Sequence, residues 1–194
     1  MTIPVEDDVR AVLRAFEGRL RAVIDRAWTE WMDSDIRGRL IRNGAKATVV
    51  FDFIVRHALA EFDGDPDIHV IAKHSTVKFL FKDTVLLRFK KGNAKGVGSN
   101  IETQAVLDFI DPERKLFPEL PDILKIEVCY QPDRLGMKID EVAVVARDRK
   151  KRIWSYALET GAGAEIIPLP SRTAETTAPE VVIRKPVDEA ESGQ

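Results

Sequence analysis

Gly92, Gly96 and Gly98 stand together in KKGNAKGVGSN, between a basic segment and a helical pattern. Backbone N–H groups on such a loop, beside a helix N-terminus, are the means by which proteins cradle phosphate. The spacing fits neither common nucleotide motif. It is not GxGxxG, and Gly98 occupies the place where GxxxxGK[ST] needs its lysine. A simpler role for the glycines is to permit positive φ in a strand-to-helix connection, with Ser99 and Glu102 at capping-box spacing to start the helix.

Other residues with chemical potential are scattered. A metal-dependent nuclease needs converging carboxylates to hold a hard cation, and Glu127, Asp140 and Glu141 are the candidates, without an ExK-like spacing after a paired Asp. His69 and His74 could approach one another near Asp67, while His57 lies alone on a helical pattern, and no Cys or His pair has zinc spacing. The single cysteine, Cys129, sits in the apolar run LKIEVCY and reads as a buried structural thiol. The expectation is no metal and no cofactor, and no catalytic residue is assigned.

Charge is the stronger signal. The net charge of −2 conceals two basic islands, residues 73–95 at +6 and residues 147–152 at +4. The candidate binding residues for a protein partner or nucleic acid are Lys78, Lys82, Arg88, Lys90, Lys91, Lys95, Arg149, Lys150, Lys151 and Arg152. Lysines of this kind also protect an edge strand from pairing with other chains. The phenylalanines among them fall in core register instead of alternating with the lysines as a base-stacking platform would. Trp28 and Trp31, one turn apart, and Trp154 read as core anchors, or as an interface anchor if one is exposed.

These residues must be positioned by a fold whose class is legible. Apolar residues from Val9 to Trp31 recur at three- and four-residue spacing, which predicts one amphipathic helix with Glu6, Asp7 and Asp8 at its positive end. A second helix is expected across AKATVVFDFIVRHALAEF, with Val49, Val50, Phe53 and Ile54 on its core face. From Ile68 the period becomes two. TVKFLFKDTVLLRFK reads as a hairpin, and only a three-residue loop at Lys82, Asp83 and Thr84 puts Val77, Phe79 and Phe81 on one face with Val85, Leu87 and Phe89. Lys78, Leu80, Lys82, Leu86, Arg88 and Lys90 then share the second face.

A short helix at SNIETQAVLDFI and three strands, LKIEVCYQ, DEVAVVAR and RIWSYALE, complete the order, with a tight basic turn at DRKKR. The sequence therefore predicts an α+β fold: N-terminal helices packed on a mostly antiparallel sheet, followed by a disordered C-terminal tail. One domain spans residues 1–160, helical over 1–67 and a sheet with one inserted helix over 68–160. Residues 161–194 are rich in Pro, Ala, Thr and Glu, and are interrupted by two apolar islands, EIIPLP and EVVIRKP, suited to adding to a sheet edge. No signal peptide or membrane span is expected, which with the lone thiol suits the cytoplasm.

FLFKDTVLLRFKKGNAKGVGSNIETQAVLDFI followed by IWSYALE resembles a group of short, poorly characterised bacterial and phage proteins, over roughly Phe79 to Glu159. Members are encoded beside helix-turn-helix or ImmA/IrrE-type metallopeptidase proteins, as in toxin-antitoxin or mobile-element modules. The resemblance transfers no catalytic residue. It implies a non-enzymatic interaction protein, one half of a two-gene module, and the basic, partly apolar hairpin face is the expected partner surface. A nucleic-acid-binding module and a metal-dependent nuclease toxin remain the alternatives.

Overall fold

The computed structural model describes residues 3–73, 76–93, 95–99, 104–111 and 123–160. Helices α1 (Glu6–Leu13), α2 (Glu17–Asp33) and α3 (Asn43–Phe62) come first, with a 3-10 turn at Asp35–Arg39 between α2 and α3. Strands β1 (Ile68–Lys73), β2 (Thr76–Phe81) and β3 (Val85–Lys91) precede α4 (Gln104–Ile110), and β4 (Leu124–Pro132), β5 (Ile139–Asp148) and β6 (Lys151–Ala157) follow it. The α+β class is as the sequence predicts.

The six strands form one sheet in chain order. Every pair is antiparallel except β3 and β4, whose parallel pairing requires the chain to cross from one end of the sheet to the other. The crossover carries α4. The expected order of hairpin, helix and three-stranded meander holds, and β1 adds a further antiparallel strand on the outer side of β2.

The hairpin takes the three-residue register that the apolar parity demands, with Phe79 opposite Leu87 and Phe81 opposite Val85. Lys82 and Asp83 adopt positive φ of 46° and 50° to close it. Phe79, Phe81, Val85, Leu87 and Phe89 are buried in one cluster with α1, α2 and α3, joined by Leu124, Ile126, Val128 and Tyr130 of β4 and Val142, Val144 and Ala146 of β5. Edge-on ring contacts link Phe16 to Phe81 at 5.1 Å and Phe62 to Phe79 at 5.7 Å. Val50 and Ile54 are buried on the core face of α3, while Val49 and Phe53 flank them half-buried.

Two differences from the sequence reading matter. The first helix is broken at Arg14–Phe16, and this lets Phe16 pack at the junction while apolar spacing continues through it. The second hairpin face is not open. Leu80 and Leu86 are buried against Phe109 and Ile110 of α4, so the sheet has N-terminal helices on one face and α4 on the other. Glu102 of the expected cap and the whole of 161–194, including both apolar islands, lie outside the described residues.

Candidate functional site

The structure distributes the basic candidates over both faces and both ends of the sheet. Arg88 is 2% exposed and Glu127 is fully buried, and the two lie opposite each other in the β3–β4 pair. Arg88 donates from Nε to Glu127 Oε1 at 3.1 Å, and its guanidinium lies 4.1 Å from the Phe109 ring centre. Arg147 of β5 donates to Glu127 Oε2 at 3.3 Å. Arg88 therefore belongs to a buried charge network instead of a binding face, because α4 covers it. Burial pushes the Glu127 carboxyl up, but the two guanidiniums and the Gly98 N–H more than offset this and hold it below the ordinary range.

Lys90 extends the same face, half-buried, with its ammonium pKa pulled down first by burial and then by Arg88. Lys78 lies over the Phe109 ring at 5.4 Å. Lys82 sits in the β2–β3 turn, 3.9 Å from Asp67. Arg149 occupies the β5–β6 turn with Lys150 and lies 3.6 Å from Asp111, while Lys151 and Arg152 belong to β6. Those two turns are at the same end of the sheet, three strand spacings apart, which is about 14 Å. Lys90 and Lys91 are at the opposite end, and Lys95 is exposed in the loop beyond them.

The described residues of that loop, 92–93 and 95–99, have a structural role. They fold back over the second face, bridging Gly92 to Gly98, with Ser99 N–H donating to the Lys91 carbonyl. A Cβ on Gly98 would stand 2.6 Å from Glu127 Oε2, and one on Gly96 would stand 2.8 Å from an Arg152 nitrogen. Gly96 also needs its φ of 70°. The Gly98 N–H, a donor that a phosphate cradle would keep free, is given to Glu127 Oε2 at 3.0 Å. The glycines thus serve close packing on the charge network.

The nuclease candidates do not converge. Asp140 lies 3.5 Å from Lys138, and Glu127 is committed to its arginines. Among the described residues no group of three His, Cys, Asp or Glu side chains could hold a metal ion. His57 contacts Glu30 at 2.8 Å and His69 contacts Asp83 at 3.3 Å, while His74 lies outside the described residues. The Cys129 thiol is buried, and burial pushes its pKa up, away from nucleophilic use.

A different concavity stands out on the helical side, at the end of the sheet where β3 finishes. A cavity of about 230 Å³ is walled by Trp28 and Trp31 of α2 and by Tyr130 of β4. Arg37, Lys46, Lys91 and Arg134 also line it, against a single carboxylate among the described residues, Asp133. Asp133 Oδ1 already accepts the backbone N–H groups of Met137 and Lys138, so it closes the β4–β5 turn. Among the described residues Lys46, Lys91 and Arg134 make no ion pair. Trp31 is buried as a core anchor, whereas Trp28 is half-buried and its Nε1 is shielded with no acceptor.

Strand parity separates Lys91 from Lys90: Lys91 lies beside Tyr130 in the parallel pair and reaches the helical side. The sequence singled out Trp28, Trp31 and Lys91 but missed Arg37, Lys46, Tyr130 and Arg134. Those residues come from separate segments, and no local pattern announces that they meet. Trp154, the third tryptophan, donates to the Pro4 carbonyl at 2.6 Å and stacks on Tyr156. Compared with known proteins, the chain matches no family model, no curated protein and no solved structure.

Proposed function

We propose that this chain is a non-enzymatic interaction protein whose partner is a protein presenting an acidic segment to the cationic cavity. The observation that carries the reading is the surplus of charge there: four cations around one concavity, with the only carboxylate among the described lining residues already engaged in a turn. Such a site attracts and orients an acidic group, and the half-buried Trp28 supplies apolar contact for whatever carries that group. The partner surface moves from the hairpin face to the helical side, because α4 already fills the apolar part of the hairpin face.

A nucleic-acid strand is the less favoured occupant. Continuous phosphate contact needs cations repeated along a track, and here the basic residues are divided between the β2–β3 and β5–β6 turns and the far end of the sheet. Among the described residues no helix is long and apolar enough to cross a membrane. On this proposal the partner is a cytoplasmic protein, sought first in the product of a neighbouring gene, as in a toxin-antitoxin or phage-defence module.

The test is co-expression with that neighbour, followed by purification retaining both protein and nucleic acid. Stoichiometric co-purification with an acidic protein is the expected result. A chain that remains monomeric and alone at high concentration, or that recovers only nucleic acid with steep salt dependence, overturns the proposal.

A further inference from the structure

We infer that the same cavity is an oxyanion pocket suited to a phosphate monoester carried on a flat or apolar group. The inference rests on the proposed reading for the sign of the occupant's charge, but not for the identity of any partner. Three features of the site select this chemistry. Its lining carries a surplus of three positive charges, which favours a dianion over a single carboxylate. Asn43 and Lys46, in the first turn of the 20-residue helix α3, face it, and that turn has neither an acidic residue nor a side-chain cap to answer the positive end of the dipole. Half-buried Trp28 supplies the aromatic surface for the organic part, backed by the buried Trp31 and by Tyr130, whose ring lies 6.1 Å from that of Trp28.

The division of labour is between charge at the rim and aromatic surface at the wall. Lys46 comes from α3, Lys91 from the end of β3 and Arg134 from the β4–β5 turn, so an occupying phosphate would be approached from three separate elements. Inorganic phosphate would satisfy the cations alone, and phenol the wall alone. A ligand joining both features should exceed either. The phosphate monoester could be a free small molecule or a phosphorylated side chain of the partner, and these sources share the same recognition chemistry.

The experiment titrates the full chain at low salt with phenyl phosphate, inorganic phosphate and phenol, following tryptophan fluorescence and the Trp28 indole N–H resonance. Phenyl phosphate should bind at least tenfold more tightly than either fragment, and Lys46→Met with Lys91→Met should weaken it at least tenfold. A tyrosine-phosphorylated acidic peptide, run beside its unphosphorylated form, separates the sources. A phosphopeptide much tighter than phenyl phosphate assigns the group to a partner protein, and equal affinity assigns it to a free molecule.

Absence of a saturable change at millimolar phenyl phosphate, or an unchanged response in the double variant, overturns the inference. Partner capture that depends on Lys46 and Lys91 without phenyl phosphate binding would refute the pocket's chemistry and leave the partner reading standing. Phenyl phosphate binding without any protein partner would do the reverse.

Discussion

Arg88 and Glu127 face each other across the one parallel strand pair of the sheet, and both are sealed from water at 2% and 0% exposure. Arg147 reaches the same carboxylate from β5, so one anion holds two guanidiniums beneath α4 and the glycine loop. Removing the anion and removing one cation are therefore unequal changes. Glu127→Ala removes the carboxylate that both arginines share and should cost about 3–5 kcal/mol, the range for breaking a buried ion pair by removing one partner. Arg88→Met leaves the carboxylate paired with Arg147 and should cost clearly less. Urea unfolding of both variants measures the difference, and equal losses would contradict the network.

The same carboxylate sets a pH dependence. Its folded-state pKa lies below the ordinary range, so the unfolded chain binds this proton more readily. The stabilisation is full above the ordinary carboxylate pKa and is lost as pH falls through the depressed folded value. Comparing thermal midpoints of wild type and Glu127→Gln, the gap should be widest at neutral pH and narrow towards acid. A gap independent of pH would count against the assignment.

The glycines give a graded test of close approach. Gly98→Ala forces a Cβ against Glu127 Oε2 and the Lys90 Cβ at 2.6 and 2.9 Å, and should destabilise by about 1–3 kcal/mol. Gly18→Ala, in α2 with open space at its Cβ, should be neutral or stabilise by up to about 1 kcal/mol through helix propensity. Thermal denaturation distinguishes them, and a tolerated Gly98→Ala would mean the loop is not pressed onto the sheet.

Phe109 is the anchor of α4 on the second face, 2% exposed and stacked beneath the Arg88 guanidinium. Truncation to alanine should cost about 3–5 kcal/mol. Because Leu80 and Leu86 lie under the same cover, their amides should lose hydrogen-exchange protection ahead of the helical-side core. Uniform loss of protection would show that α4 is not an independent lid on that face.

What the sequence made legible follows from parity and period. The alternation from Val77 to Phe89 admits one hairpin register, and that register is the one formed. The break at Arg14–Phe16 is silent because Leu13, Phe16 and Leu20 keep helical spacing through it. The Arg88–Glu127 pair had a signal that could have been read: each charge is embedded in an apolar run, VLLRF and KIEVCY, where an exposed binding residue is out of place. Its pairing depends on a parallel crossover, which no local pattern specifies. The cavity was less legible still, since Lys46, Lys91 and Arg134 are brought together only by α3 and the β4–β5 turn closing on the same end of the sheet.

The most direct test of the partner reading is a charge-reversal comparison in affinity capture from cells that also express the neighbouring gene. Wild type is compared with Lys46→Glu combined with Lys91→Glu, at the cavity, and with Lys82→Glu combined with Lys151→Glu, at the other end of the sheet. The account predicts that an acidic protein partner is lost at least tenfold from the cavity variant and retained by the other. Retention by the cavity variant, with loss from the variant at the opposite end, would contradict it.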